Sequence, residues 1–168
     1  MISADCGFFI RHQAAVSTAV NVPVVMSSLL LAPTLLRQLS PVQKLAVITA
    51  DSRSCSEDLL GLETLPDRAR VVIGGIEGGE YMRKSLMRPP ILTEIDQIEQ
   101  EVAACVTQLR SRHAEIGMLL FECTGFPYIT NRLRRITELP IYDIADLCRL
   151  ALATVKGPGH PRRSLEVI

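Results

Sequence analysis

The sequence lacks the features that would place it among nucleic-acid-binding or membrane proteins. Lysine plus arginine (18) balance aspartate plus glutamate (18), so the chain has no net charge with which to attract nucleic acid or anionic lipid. The longest apolar run, residues 22–36, is divided by Pro23 and Pro33 and is shorter than the roughly 20 residues that a membrane span requires. We therefore expect no nucleic-acid partner and no membrane partner.

Signals for secretion and for metal binding are also missing from the sequence. No basic start leads into an apolar core with a small-residue cleavage site, so we expect a cytoplasmic protein whose cysteines are reduced. The five cysteines, at positions 6, 55, 105, 123 and 148, form no CxxC pair, and the three histidines lie in no ligand cluster. We expect neither a metal nor another cofactor.

Short β-rich runs alternate along the chain with longer stretches of helical period, which indicates βαβ units and an α/β fold with parallel sheets. The pattern predicts strands near residues 1–4, 22–26, 44–49, 70–73, 116–121 and 140–142. It predicts helices near residues 9–20, 29–39, 54–60, 93–113, 128–137 and 144–155. Several strands are continuous apolar runs, so helices should cover both faces of the sheet.

Two cysteines stand at the ends of predicted strands, and their surroundings are alike. Strand, cysteine, one or two small residues, phenylalanine and helix occur in that order around both Cys6 and Cys123. Ligands of parallel sheets bind beyond the carboxyl ends of the strands. The sequence therefore predicts that Cys6 and Cys123 share one site.

A cysteine that precedes a helix lies near unpaired backbone N–H groups, and we expect these to lower the pKa of the thiol. The same groups can hold a carboxylate, and glycine at positions 7 and 125 would let the backbone approach a small ligand. Two thiols that flank one pocket can remove a proton from one face of a carbon and return it to the other. The remaining cysteines, Cys55, Cys105 and Cys148, fit the role of small buried hydrophobes.

Two further polar residues follow predicted strands and have two interpretations each. Ser27, together with Ser28, either caps the next helix or contacts substrate. Asp51 is either a helix cap or a polar group of the pocket, and capping is the favoured interpretation.

The segments 6–8 (Cys-Gly-Phe) and 122–127 (Glu-Cys-Thr-Gly-Phe-Pro) resemble the aspartate/glutamate/hydantoin racemase superfamily, as does the run Leu-Pro-Ile-Tyr-Asp at 139–143. The resemblance implies cofactor-independent racemisation in a cleft between two small Rossmann-like lobes, with Cys6 and Cys123 as the two bases. It assigns residues 1–40 and 144–157 to the first lobe and residues 41–143 to the second. Residues 158–168, which are rich in proline and glycine at their start, are predicted to form a loose tail.

The chain departs from the superfamily in its first lobe. Members usually carry a strand, a glycine-rich loop and a further strand before the first catalytic cysteine, whereas Cys6 is the sixth residue here. We therefore expect an incomplete first lobe, either because the chain is a fragment or has a misassigned start, or because it is a shortened member. An exposed sheet edge would invite pairing with another chain, so a homo-oligomer is expected.

The chain also departs from the superfamily beside each cysteine. Gly7 and Phe8 replace a polar pair, and Gly125 replaces a histidine or glutamate, so groups that would bind an ammonium are missing. Phe8 and Phe126 should make the pocket more apolar, which favours a hydantoin, an arylated acid or another carboxylate over an amino acid. The predicted substrate-binding residues are Gly7, Phe8, Ser27, Asp51, Thr124 and Gly125.

Three functions remain open on the sequence alone. The first is an isomerase that acts on a carbon acid next to a carboxylate or cyclic amide. The second is an inactive remnant that binds small carboxylates or serves as an assembly partner. The third is a decarboxylase related to those of arylmalonates, which the presence of two cysteines disfavours because one proton donor suffices there.

Overall fold

The fold was analysed in a computed structural model that describes residues 1–155. In this part of the chain six strands form, all of them paired in parallel: β1 (Ile2–Ser3), β2 (Val24–Val25), β3 (Lys44–Thr49), β4 (Val71–Gly75), β5 (Ile116–Phe121) and β6 (Ile141–Tyr142). Seven α-helices accompany them: α1 (Gln13–Ala19), α2 (Ala32–Gln38), α3 (Leu65–Ala69), α4 (Glu80–Ser85), α5 (Ile95–Arg112), α6 (Thr130–Thr137) and α7 (Ile144–Val155). The strands make two separate sheets.

The larger sheet has the strand order β4-β3-β5-β6 and is covered on both faces. Its two central strands, β3 and β5, are apolar runs whose residues alternate between the two cores. Ile48 and Phe121 point towards α5 and α6, while Val47 and Leu120 point towards α2. The continuous apolar pattern of these strands is therefore explained by burial on two sides.

The helix α5 shows how the sequence produces this layer. Its buried residues Ile98, Val102, Cys105 and Val106 recur at intervals of three and four, so they form one stripe along the helix. This stripe packs on the sheet, and Ala103 and Leu109 of the same helix are partly buried against it.

The smaller sheet pairs β1 with β2, and α7 packs against it through a separate cluster that contains Val25, Ile144 and Leu147. Asp143 caps α7, since its carboxylate accepts hydrogen bonds from the N–H groups of Ala145 (2.8 Å) and Asp146 (3.2 Å).

The expected α/β architecture, with parallel sheets and flanking helices, is confirmed. Strands 44–49 and 116–121 and helix 144–155 form with the predicted bounds. Helices α3 and α4 were not predicted, and the helix expected at residues 54–60 is present only as two short 3₁₀ helices, Ser52–Ser54 and Glu57–Leu60.

The division into lobes at residue 40 stays a prediction. Helix α2, which that division places in the first lobe, packs on the larger sheet, and Leu35 and Leu36 are buried against β3 and β5. The predicted tail at 158–168 and residues 156–157 lie outside the described residues. Within the described part, no helix is both long enough and apolar enough to span a membrane.

Candidate functional site

The loops that carry Cys6 and Cys123 lie in contact with each other. Cys6 follows β1 and immediately precedes a 3₁₀ helix, Gly7–His12, while Cys123 follows β5 and precedes the 3₁₀ helix Phe126–Tyr128. The hydroxyl of Thr124 donates a hydrogen bond to the carbonyl of Asp5, which ties one cysteine loop to the other. The two sheets therefore present their strand ends to one shared region.

Gly7 provides the second contact between the two loops. A Cβ atom at this position would overlap the side-chain carboxyl of Glu122, so only glycine allows the approach that the structure shows. The glycine after Cys6 was predicted to let the backbone approach a ligand, and here it lets the backbone approach Glu122.

Glu122 is a buried acid at the centre of this arrangement. Only 2% of the residue is exposed, and the hydroxyl of Thr49, at the end of β3, donates a 2.6 Å hydrogen bond to its Oε2 atom. Its Oε1 atom is buried and has no hydrogen-bond partner among the described residues. Burial raises the pKa of Glu122 to about 7, and the bond from Thr49 offsets only part of that effect. The group therefore titrates near neutral pH.

The Cys123 thiol is partly buried, and its sulfur lies 3.4 Å from the phenolic oxygen of Tyr81. Burial raises the pKa of Cys123; hydrogen bonds from Tyr81 and from the backbone of Gly125 oppose the rise, whereas the charges of Glu122 and Cys6 add to it. The expected lowering of the Cys123 pKa by a helix terminus is wrong. Burial outweighs the backbone dipoles in this place.

Cys6 belongs to the same electrostatic environment. Its charge is the smallest of the named causes that raise the pKa values of Cys123 and Tyr81. The side chain of Cys6 makes no capping hydrogen bond to the helix that follows it. The thiol is therefore free of local bonding at the helix start.

The structure uses the two other polar candidates as helix caps. The Ser27 hydroxyl accepts a hydrogen bond from the N–H of Leu29 at 3.2 Å. The Asp51 carboxylate accepts bonds from the N–H of Arg53 (3.2 Å) and the hydroxyl of Ser54 (3.1 Å). Both residues adopt the capping alternative, and a role for either in substrate binding stays a prediction.

The two phenylalanines that were expected to line the pocket, Phe8 and Phe126, both pack against the core clusters. Phe126 is completely buried, with its ring 5.6 Å from that of Phe121 and 6.0 Å from that of Tyr81. The expectation that Phe126 lines an apolar pocket is therefore wrong, because its ring belongs to the core. Phe8 is partly buried against the core cluster on the α2 side of the sheet.

The cysteines assigned to packing behave as expected in two cases. Cys55 and Cys105 are buried, and burial raises their pKa values to about 12 and about 11. Cys148 is half-buried on α7, with its sulfur 3.6 Å from the hydroxyl of Ser3. The charge of Glu122 is a further cause of the raised pKa of Cys55, which lies on the α2 side of the larger sheet.

Tyr81 and Thr49 are site residues that the sequence interpretation missed. Tyr81 lies on α4, just after the glycine-containing loop 76–79 that follows β4, and such a loop at a strand end is the signal that could have found it. Thr49 is the last residue of β3, which pairs with β5 in the middle of the larger sheet. Both reach the site because parallel strands end at the same edge.

The arrangement suits proton transfer. It brings a phenol and a carboxyl that titrates near neutral pH to the Cys123 thiol, and all three are groups that can exchange protons with a carbon acid. The pairing of Cys6 with Cys123 in one site stays a prediction. In residues 1–155, no group of three or more His, Cys, Asp or Glu side chains is placed to hold a metal ion.

Comparison with curated proteins points to a group of lyases. The chain is 30% identical over 147 residues to a dimethylsulfoniopropionate lyase of Durusdinium sp. clade D, an alignment that covers 85% of the chain and 48% of that protein. It is 27% identical over 165 residues to dimethylsulfoniopropionate lyase 7 of Emiliania huxleyi (strain CCMP1516), covering 92% of the chain and 47% of the relative. The chain thus spans about half the length of these relatives, and no protein-family model matches it.

Comparison with solved structures identifies the fold. The chain is similar to glutamate racemase from Francisella tularensis subsp. tularensis SCHU S4, solved in complex with D-glutamate, with a TM-score of 0.55 and 14% sequence identity. The match covers 95% of this chain and 60% of the racemase chain. The chain therefore has a racemase-like fold.

Proposed function

We propose that this chain belongs to a cofactor-independent enzyme that removes the α-proton of a small carboxylate and then expels a group from the neighbouring carbon. The observation that carries the proposal is the contact between the two cysteine loops, through Thr124 with Asp5 and Gly7 with Glu122. Cys6 and Cys123 are the proton-transfer groups. The relatives named as dimethylsulfoniopropionate lyases supply the substrate class.

The proposed reaction begins like a racemisation and ends differently. A cysteine thiolate takes the α-proton of dimethylsulfoniopropionate, and the electron pair of the broken C–H bond forms a C=C bond. The C–S bond breaks with its electrons, which leaves dimethyl sulfide and acrylate, and the thiol later returns its proton to water. A racemase would instead return a proton to the opposite face of the same carbon.

Electrostatics favours a substrate that carries a positive charge. Within residues 1–155, the neighbours that perturb the pKa of Cys123 are Tyr81, Gly125, Glu122 and Cys6, and no basic side chain is among them. A sulfonium bound beside this thiol would stabilise its thiolate and offset the pKa-raising effects of burial and of Glu122. The raised pKa of Cys123 in the free protein is therefore compatible with a base that is activated when a cationic substrate binds.

Substrate binding in this proposal falls to the cysteine loops. Thr124 already donates its proton to the Asp5 carbonyl, so its hydroxyl orients the loops and its oxygen can accept a further bond. The backbone N–H of Gly7 is proposed to hold the substrate carboxylate, with Phe8 beside it, while the backbone of Gly125 remains bonded to the Cys123 sulfur. Ser27 and Asp51, whose side chains cap helices, are secondary candidates.

The test is to incubate the chain with dimethylsulfoniopropionate in D₂O, with dimethyl sulfide measured by headspace gas chromatography and acrylate and α-deuteration by NMR. The proposal expects dimethyl sulfide and acrylate in equal amounts, and a fall of about a hundredfold or more in Cys123→Ser and Cys6→Ser. Cys148→Ser, which removes a half-buried cysteine outside the site, should keep the parent rate.

The other outcomes identify the alternatives. Deuterium exchange without dimethyl sulfide, tested also with amino acids and hydantoins, would favour a racemase, which the fold and the cysteine pair support as the second candidate. Thermal stabilisation by carboxylates without exchange would favour a binding protein. Either result would contradict the lyase proposal.

A further inference from the structure

Tyr81 is the side chain that hydrogen-bonds to the sulfur of Cys123. The phenolic oxygen lies 3.4 Å from the sulfur, and either atom can be the donor in this pair. Burial raises the pKa of Tyr81, with the charges of Cys123, Glu122 and Cys6 as further causes, so the phenol keeps its proton at neutral pH. Whenever Cys123 is a thiolate, Tyr81 is therefore the donor.

The surrounding structure holds Tyr81 in this position. The carboxylate of Glu101, on α5, accepts hydrogen bonds from the backbone N–H groups of Glu80 (2.8 Å) and Tyr81 (3.3 Å) and thereby fixes the start of α4. The ring of Tyr81 packs against that of Phe126, with the ring planes inclined at 54°. The phenol is thus oriented from its backbone and from its ring.

Gly125 leaves the space that the phenol occupies. A Cβ atom at position 125 would overlap the Tyr81 hydroxyl and would lie 3.2 Å from the ring carbon that bears it. Any other residue at position 125 would therefore push the phenol away from Cys123. The identities of residues 81 and 125 are complementary, and together they decide which group contacts the sulfur.

We propose that Tyr81 is a catalytic residue, which donates a hydrogen bond from its phenolic O–H to the Cys123 sulfur and stabilises the thiolate that acts as base. The role rests on the proposed function, because it assumes that Cys123 is the base. When Cys123 takes a proton from the substrate carbon, the new S–H group donates to the phenolic oxygen in turn. The pair therefore keeps one hydrogen bond in both protonation states, and no other reactant is needed.

The test is a pH titration of Cys123 in the parent chain and in Tyr81→Phe. The titration is monitored by ¹³C NMR of protein labelled at cysteine Cβ, and Cys123→Ser identifies the Cys123 signal. A hydrogen bond to a charged group is worth enough that its loss should lower the acid ionisation constant of Cys123 about tenfold. The rate of dimethyl sulfide release at neutral pH should fall by about the same factor, in kcat more than in KM. Tyr128→Phe, at a residue that is 74% exposed, is the matched control and should change neither.

A second variant tests the pairing of positions 81 and 125. Gly125→Ala should lower the ionisation constant of Cys123 about as much as Tyr81→Phe does, because both remove the same bond. In the Tyr81→Phe background the alanine should add little, since the overlapping oxygen is gone.

An unchanged titration of Cys123 in Tyr81→Phe would overturn the proposal, and so would fully additive effects of the two substitutions. These results are separable from the proposed function, which fails instead if the parent chain releases no dimethyl sulfide. The NMR titration needs no turnover, so it tests whether Tyr81 stabilises the Cys123 thiolate even if the proposed function fails.

Discussion

Glu122→Gln should make the protein's stability less dependent on pH. Glu122 is 2% exposed, its carboxyl receives one hydrogen bond from Thr49, and the other carboxyl oxygen is buried with no partner within residues 1–155. Ionisation places an unpaired charge in this environment, which is costly. Glutamine has nearly the same shape, can accept the same bond from Thr49 and never ionises.

The magnitude follows from the shift in the pKa of Glu122, from 4.5 in the unfolded chain to about 7 in the native protein. Because the native pKa is the higher one, the native state holds the proton more tightly than the unfolded state does. The contribution of this group is therefore fully present below pH 4.5 and is lost as the pH rises to about 7. The loss amounts to about 3 kcal/mol, at roughly 1.4 kcal/mol for each pKa unit.

The assay is urea denaturation followed by circular dichroism at several pH values between 5 and 8. The free energy of unfolding of Glu122→Gln, relative to that of the parent, should rise as the pH increases from 5 to 8. The rise should be somewhat smaller than about 3 kcal/mol, because part of the contribution of Glu122 is already lost at pH 5. Glu63→Gln, at an exposed glutamate, is the control and should show no such rise. A difference between Glu122→Gln and the parent that stays constant within about 0.5 kcal/mol across this range would refute the reasoning.

Two further predictions concern the core. Phe126→Ala should destabilise the protein by about 3–5 kcal/mol, because the ring is completely buried against Phe121 and Tyr81; a loss below about 1 kcal/mol in urea denaturation would contradict its assignment to the core. Cys55 and Cys105, whose pKa values burial raises to about 12 and about 11, should react with iodoacetamide at pH 8 at least about a hundredfold more slowly in the native protein than in urea. Peptide mass spectrometry measures both sites at once, and native labelling at the unfolded rate would show that the thiols are exposed.

The fold class could be predicted because it depends on local pattern. Short continuous apolar runs, such as residues 44–49 and 116–121, are typical of strands that are buried on both faces. The structure forms strands with those bounds. Helices α3 and α4 were missed because each has only five or six residues, which is too short to show a helical pattern of apolar residues. Their starts are fixed by polar groups, Thr64 for α3 and the carboxylate of Glu101 for α4.

The contact between the two cysteine-bearing loops was also accessible from the sequence, whereas the electrostatics around Cys123 was not. Cys6 and Cys123 could be located because a cysteine at the end of a predicted parallel strand lies at a sheet edge whatever the remaining fold. The direction of the Cys123 pKa was predicted wrongly, because a nearby helix start is visible in sequence and the degree of burial is not.

By itself the sequence determined the alternation of strands and helices, the two strand-end cysteines and the glycines beside them. Only the tertiary structure decided that Gly7 lies against Glu122, that Thr124 is bound to Asp5 and that Tyr81 fills the space at Gly125. The physical reason is range. Strand and helix periods involve residues a few positions apart, while these contacts join residues separated by more than 40 positions, and they depend on how the sheets and loops pack together.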